Sequence, residues 1–304
     1  MDGEPVSGLG TIKKSIPEGT PPDMGGTISF EDYSFTYISS EEPAIKNVNL
    51  KIEPGEVVLL AGSSGCGKST LLRSINGLIP HMYPGTTSGS VHVDGVNVAE
   101  TSITEVAKKV GFVFQNPENQ IFMFSVERDV AFGLENLGVP RDEMRERVNW
   151  AIQLLGIEHL AGRAPHELSD GQKQRVALAG VLAMKPSVLI LDEPTSLLDP
   201  STAFELVEVV EMLNDELGLT VIVVEHRLDL LVHAATRIIC MDNGKLLYDG
   251  SPRRILAEKE LPIIGISVPT TARLHNLLKD EEIDLKEIPL STIELTKRLN
   301  VMLK

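Results

Sequence analysis

One stretch, Gly62-Ser63-Ser64-Gly65-Cys66-Gly67-Lys68-Ser69-Thr70, constrains the fold of this chain more than any other. It lies between an apolar run, Val57-Val58-Leu59-Leu60-Ala61, and Leu71-Leu72-Arg73-Ser74-Ile75, so it reads as the turn from a strand into a helix. It matches G-x-x-x-x-G-K-[ST] at every fixed position. The glycines let the backbone curl until successive N–H groups point at phosphate oxygens. A helix beginning near Lys68 adds the positive end of its dipole. That chemistry assigns Lys68 to the β- and γ-phosphates of a nucleotide and Ser69 to Mg²⁺. Gly62, Ser63, Ser64, Gly65, Cys66, Gly67 and Thr70 supply the rest of the cradle. The competing reading is an ordinary Gly/Ser turn.

With 304 residues there is chain for about two domains. At 42% hydrophobic and 23% charged it has the make-up of a globular protein. No apolar run approaches the ~18 residues of a membrane span, and the polar, Gly/Pro-rich start does not resemble a signal peptide, so the chain is expected on the cytoplasmic side. Two cysteines, Cys66 and Cys240, make no disulfide framework. A formal charge of −15 argues against nucleic acid as a partner, because a basic face supplies most of that affinity.

Residues 1–26 hold six Gly and four Pro and read as a disordered leader. From Thr27 the pattern alternates as strands do, through Phe30, Phe35 and Val48 to Ile52. Tyr37 ends one such strand, and its ring suits either core packing or stacking on a purine. Ser90-Val91-His92-Val93 is a further strand; Val110-Gly111-Phe112-Val113-Phe114 is another and delivers Gln115 at its end. Residues 125–136, 141–155 and 169–184 have helical patterning, which suggests a helical subdomain over about 116–186. Val188-Leu189-Ile190-Leu191 reads as a strand buried on both faces, with Asp192 and Glu193 at its carboxyl end, where α/β sheets place ligands. Asp192 suits a Mg²⁺ shell and Glu193 suits water activation. Asp199 is placed to cap a helix opened by Pro200, and Val221-Ile222-Val223-Val224 leads to Glu225-His226. Residues 253–304 read as a helical tail, either a packing appendage or a dimerisation element; Ser291 and Glu294 have capping-box spacing.

Leu168-Ser169-Asp170-Gly171-Gln172, opening a helix shortly before the acidic strand end, is much more restrictive than a phosphate loop. With it the region 27–252 resembles the ATP-binding subunits of ABC proteins, all of whose motifs occur in order. The resemblance implies a P-loop α/β ATPase domain with an N-terminal antiparallel β subdomain and an inserted helical subdomain. It makes Tyr37 the adenine-stacking aromatic and Gly62 to Thr70 the Walker A loop. Gln115 becomes the Q-loop glutamine, a catalytic and Mg²⁺-shell residue. Asp192 and Glu193 become the Walker B aspartate and the catalytic glutamate, and His226 the switch histidine. It further implies that Ser169, Gly171 and Gln172 of one subunit, with Asp199 of the D-loop, close over the ATP of a second subunit. ATP and Mg²⁺ are the cofactors so implied.

Gln115-Asn116-Pro117-Glu118-Asn119-Gln120 and Gly171-Gln172-Lys173-Gln174-Arg175 look, more narrowly, like the energy-coupling factor (ECF) transporter ATPases. Those resemble vitamin and transition-metal importers, in which two ATPase subunits, identical or paralogous, drive an integral membrane coupling protein paired with a substrate-binding membrane protein. The alternative is a soluble ABC ATPase acting on ribosomes, DNA or assembly without a membrane partner. Two departures stand out: Asp170 occupies a position where Gly is commonest, and Leu197 one where a small residue is usual. An acidic side chain pointing at the phosphates would slow hydrolysis. Cys66, beside a helix N-terminus, is read either as a thiol of lowered pKa, open to alkylation that blocks ATP, or as an inert small residue.

Overall fold

A computed structural model describes residues 24–302 apart from 284. Strands β1 (Ile28–Tyr37) and β2 (Ile45–Ile52) alternate buried and outward residues, as a sheet with one wet face requires. They pair antiparallel, and with strands β4 (Gly85–Val93) and β5 (Val96–Asn97) they form a four-stranded sheet ordered β2-β1-β4-β5. Strand β4 begins five residues before the expected Ser90, across a Gly/Thr/Ser run that reads as loop. Thr86 and Thr87 pair there with Thr36 and Phe35 of β1, and cross-strand partners override weak propensity.

The second sheet is ordered β10-β9-β3-β8-β7-β6. Its members are β3 (Val57–Gly62), β6 (Val110–Val113), β7 (Val188–Asp192), β8 (Thr220–Val224), β9 (Arg237–Asp242) and β10 (Lys245–Gly250). All pairings are parallel except the β9–β10 hairpin. Every residue of β3 and β8 is buried, which is why these strands are continuous apolar runs. Side chains of β3 serve two cores in alternation. Val57, Leu59 and Ala61 join the helix-covered core, while Val58 and Leu60 join the core beneath the first sheet.

Helix α1 (Lys68–Ile75) leaves β3 directly. Between β6 and β7 stand α4 (Val126–Asn136), α5 (Arg141–Leu154) and α6 (Asp170–Ala183), packed on one another through Val130, Leu134, Val148, Ala151, Val176 and Ala179. Helix α7 (Pro200–Leu217) buries Leu206, Val210, Leu213 and Leu217, as its periodicity predicts. Four short helices were not legible in the sequence: α2 (Leu78–His81), α3 (Ile103–Ala107), α8 (Leu228–Leu231) and α9 (Pro252–Leu256). One turn is too short for a period to show. The tail continues with α10 (Thr270–Asp280) and α11 (Thr292–Met302).

The leader boundary needs one correction. Residues 1–23 lie outside the described residues, but Met24, Gly25 and Gly26, read with the leader, belong to the fold. Met24 is buried and donates its N–H to the Leu217 carbonyl at 2.7 Å; Gly26 exchanges hydrogen bonds with the Thr220 hydroxyl. Two glycines beside a lone Met carry no apolar pattern, so these contacts were invisible before the strands were placed.

Candidate functional site

The loop between β3 and α1 is held open by glycine. Gly62, Gly65 and Gly67 have φ of 154°, 77° and 113°, a region that side chains disfavour. A Cβ on Gly67 would lie 2.7 Å from the Ala44 carbonyl, whereas one on Gly65 would meet nothing within 4 Å. Gly67 is the N-cap of α1 and offers no capping side chain, so the first-turn N–H groups are left for a ligand. The Lys68 ammonium donates to the carbonyls of Gly62 (2.7 Å) and Ser63 (2.9 Å), bent back over its own loop. These residues fit a bound phosphate chain: open backbone, uncapped helix N–H groups and one cation, Lys68, folded over the loop. Cys66 is buried at 4% exposure, which shields its thiol from reagents.

Tyr37 ends β1 with its hydroxyl 3.0 Å from that of Thr70 and in reach of the Arg73 guanidinium at 3.4 Å. Its ring meets Phe35 and Tyr83 edge-on, and Arg73 lies 4.7 Å over the Tyr83 ring. The expected aromatic is thus fixed beside the helix that starts at the phosphate loop. Tyr83 and Arg73 were not singled out from sequence, because the two hydroxyl and cation contacts exist only once β1 and α1 are packed together.

Gln115, Glu193 and His226 converge as expected. Strands β6, β7 and β8 are parallel and in register at Val113, Leu191 and Val223, so residues just beyond them share one sheet edge. The Gln115 Nε2 donates to Glu193 Oε2 at 2.7 Å, and His226 Nε2 lies 3.0 Å from Glu193 Oε1. Glu193 has a φ of 48°, a left-handed conformation costing about 1 kcal/mol for a non-glycine residue. Its N–H is bonded to the Val224 carbonyl at 2.9 Å, which holds that turn. Asp192 sits one residue earlier; burial first, then the Glu193 carboxylate, pushes its carboxyl above the ordinary value, while Arg73, Lys68 and His226 pull it down. Among the described residues no group of three or more His, Cys, Asp or Glu side chains is arranged to hold a metal ion alone. Ser69, Asp192 and Gln115 offer oxygen donors, the set Mg²⁺ takes when phosphate oxygens complete its shell.

Three residues that sequence reasoning passed over brace this edge. Glu225, only 4% exposed, accepts the backbone N–H groups of His226 (2.8 Å) and Arg227 (3.1 Å) and the hydroxyl of Thr195. Arg227 in turn donates to Thr195 Oγ1 at 2.8 Å and to the Thr195 carbonyl. The turn carrying His226 is therefore tied to the loop that runs from Glu193 to Asp199. A carboxylate ending an apolar strand was the available signal. Gln120 does the same for the Q-loop, its side chain bonded to the Phe112 carbonyl and the Phe114 N–H, each at 3.1 Å.

Ser169, Gly171 and Gln172 stand elsewhere. Ser169 and Gln172 form a reciprocal capping box at the start of α6. A Cβ on Gly171 would lie 2.4 Å from Thr202 Cγ2, so only glycine lets α6 approach α7 here. Asp199 caps α7 through the N–H groups of Ser201 (2.9 Å) and Thr202 (3.2 Å). The Thr202 hydroxyl bond and these N–H groups hold its carboxyl below the ordinary value. Asp170 is exposed and lies 3.5 Å from the Lys173 ammonium, which also pairs with Glu118 of the Q-loop. That pairing partly neutralises the unusual acidic residue.

The family model for the ABC transporter matches residues 45–196. A putative ABC transporter ATP-binding protein of Pyrococcus horikoshii is 45% identical over 83% of this chain and 89% of its own length. The energy-coupling factor transporter ATP-binding protein EcfA1 of Bacillus subtilis is 44% identical over 90% of this chain and 95% of its own. Among solved structures, cbiO1 from Clostridium perfringens, part of the ABC transporter complex cbiONQ, superposes with a TM-score of 0.70 at 36% identity, covering 84% of this chain and all of that one. The dimeric ATP-binding cassette MJ0796, bound to ADP and Pi in a post-hydrolysis state, gives 0.64 at 33% identity over 74% of this chain and 99% of that one. With a phosphate loop, an acidic strand end and a capped signature helix in these relative positions, the chain belongs to the ABC transporter ATP-binding proteins and is an ATPase of that family.

Proposed function

We propose that this chain is the ATP-hydrolysing subunit of an ECF-type importer, taking up a vitamin or a transition-metal ion. It works from the cytoplasmic face of the cell membrane, as a peripheral subunit paired with a second ATPase, identical or paralogous. An integral membrane coupling protein and a substrate-binding membrane protein complete the assembly. The observation that carries this reading is the apolar surface beside the Q-loop. Phe114, Phe122 and Phe124 are 41%, 61% and 84% exposed, and Phe114 immediately precedes Gln115, the residue that touches Glu193. Exposed aromatics rimmed by polar groups mark a protein interface. A membrane partner seated there would move Gln115 directly. Among the described residues no helix is long and apolar enough to cross a membrane, so the membrane-spanning parts belong to partners.

In the chemistry, Mg²⁺ held by Ser69, Asp192 and Gln115 would neutralise charge on the phosphates. Lys68 leaves the carbonyls of Gly62 and Ser63 for the β- and γ-phosphates. The α1 N–H groups receive phosphate oxygens that no capping side chain contests. Tyr37 stacks on the adenine. Glu193 aligns water and takes its proton. Each of its oxygens carries one contact, from Gln115 and His226, which orients the carboxylate and leaves a second lone pair on each oxygen for water. His226 then answers to the γ-phosphate. Ser169, Gly171 and Gln172 present a second helix N-terminus to the nucleotide of the other subunit, with Asp199 at the joint.

A tagged pull-down from detergent-solubilised native membranes, read by mass spectrometry, tests the assignment. Two small polytopic membrane proteins, with or without a second ATPase, are the expected catch. Soluble partners or nucleic acid alone would leave the ATPase chemistry and remove the importer.

A further inference from the structure

The C-terminal tail holds a cavity of about 1350 Å³ between α9, α10 and the loop 262–268. Its lining includes six cationic and three acidic side chains, in a chain whose formal charge is −15. Four of the cations, Arg254, Lys259, Arg273 and Lys279, are exposed and make no ion pair among the described residues. Apolar side chains share the lining: Leu277 is 62% exposed, and Ala257 and Pro262 are exposed as well, over buried Leu256, Ile266 and Ile288. Uncompensated cations around an apolar floor attract a ligand with an apolar body and several negative charges.

The cavity wall also approaches the ATPase site closely enough that only a glycine fits at residue 265 without crowding. Gly265 has a φ of 76°, and a Cβ on it would lie 3.2 Å from the Cβ of Ser63. Ser63 is the phosphate-loop residue whose carbonyl holds the Lys68 ammonium at 2.9 Å. The loop is anchored by buried Leu261 and Ile266, joined by a 2.9 Å hydrogen bond from the Ile266 N–H to the Leu261 carbonyl. At its far end the Thr270 N–H donates to Asp229 of α8 at 2.7 Å, three residues past His226. The tail therefore comes close to the phosphate loop and is bonded to the helix that follows the switch histidine.

We propose that this cavity binds a small organic phosphate and that its occupancy reaches the phosphate loop through the close approach of Gly265 to Ser63. Arg254, Arg273, Lys259 and Lys279 take the phosphate, and the apolar floor takes the body of the ligand. A ligand that tightens the loop against Ser63 changes how readily Lys68 leaves its carbonyls for ATP. The site stands apart from the importer assignment and would be present in any ATPase assembly of this chain.

The test uses the full chain saturated with Mg²⁺ and ADP, so that the nucleotide site is filled. Titration with 4-methylumbelliferyl phosphate, read by fluorescence anisotropy, is expected to saturate at one site. The double variant Arg254→Ala/Arg273→Ala, both exposed and unpaired, is expected to bind at least about tenfold more weakly with unchanged thermal unfolding. The probe should shift the KM for ATP by about twofold or more in the wild type and not in the double variant. Co-sedimentation with phosphatidylglycerol but not phosphatidylcholine vesicles, lost in the double variant, would identify a lipid headgroup as the phosphate source. Probe binding without vesicle binding would identify a soluble one. Absence of binding to probe and vesicles alike, or equal binding by the double variant, overturns the site. Binding with an unchanged KM overturns the coupling through Gly265.

Discussion

At the residue scale the site is a set of groups held short of reaction. Glu193 is strained at φ 48° and held through both oxygens by Gln115 and His226, which fixes the carboxylate proposed as the base. Glu193→Gln is expected to bind ATP normally and turn over at least about a hundredfold more slowly, measured as phosphate release beside nucleotide affinity. Near wild-type turnover would take Glu193 out of the role. Asp192 has a raised pKa through burial and the neighbouring Glu193, so in the folded state it keeps its proton to higher pH than in the unfolded chain. Ionised, it therefore costs stability, and that cost grows as pH rises through its folded value. Asp192→Asn is expected to raise the melting temperature of the nucleotide-free protein at pH 7 by roughly 1–3 °C while abolishing Mg²⁺-dependent hydrolysis. A lowered melting temperature would show that the carboxylate is stabilising after all.

At the element scale, the sheet edge was readable because parallel strands must be apolar on both faces, so a polar residue just beyond the run marks the edge. Gln115 after the β6 run and Asp192-Glu193 at the end of β7 stand at such ends, while His226 lies one residue beyond Glu225, the polar residue that follows β8. The Glu225–Thr195–Arg227 bracing was not readable, since it joins residues about thirty apart whose meeting depends on the β7–β8 pairing. The tail elements are tied by a similar device. Glu294 is pushed up by partial burial but brought down to about 2 by the Leu290 N–H and by Arg298 and Arg253. The anticipated Ser291–Glu294 capping is half realised: the Glu294 N–H reaches Ser291 Oγ at 3.2 Å, but the Glu294 carboxylate turns to Leu290. A lowered carboxyl pKa contributes stability above its ordinary 4.5, and that contribution is lost as pH falls towards about 2. Glu294→Gln is expected to speed amide exchange in α11 by about tenfold at pH 7, with the wild type loosening likewise only in that acid window. Unchanged exchange would assign the tail's attachment to its apolar contacts alone.

At the scale of the whole molecule, the signature helix and the phosphate loop are presented by different parts of one chain. Helix α6 packs with α4 and α5, while α1 packs under the first sheet. In the proposed pairing a second cassette brings its signature helix to this phosphate loop; the solved relative MJ0796 is itself dimeric. Leu197 and Phe204, on either side of Asp199 in the chain, are 53% and 54% exposed, apolar surface suited to that contact. Leu197→Glu is expected to leave thermal unfolding unchanged yet prevent ATP-dependent pairing of ATPase subunits in the Glu193→Gln background, read by sedimentation with and without ATP. Undiminished pairing would move the interface away from the D-loop.

The amino-acid sequence by itself determined the order of motifs and the class of chemistry. A glycine-rich turn, an acidic strand end and a capped helix start are local patterns whose physics does not depend on distant residues. It also determined most helices and strands of eight residues or more, where a period has room to repeat. Tertiary structure alone decided that Met24 to Gly26 belong to the fold, that β4 starts at Gly85, and that Glu225 braces the His226 turn. It also decided that Gly265 of the tail comes so close to Ser63 of the phosphate loop that a Cβ there would lie 3.2 Å from the Ser63 Cβ. Each of these is a contact between segments far apart in the chain, made by residues whose own neighbours carry no pattern, and such contacts exist only after the sheets have closed their two cores.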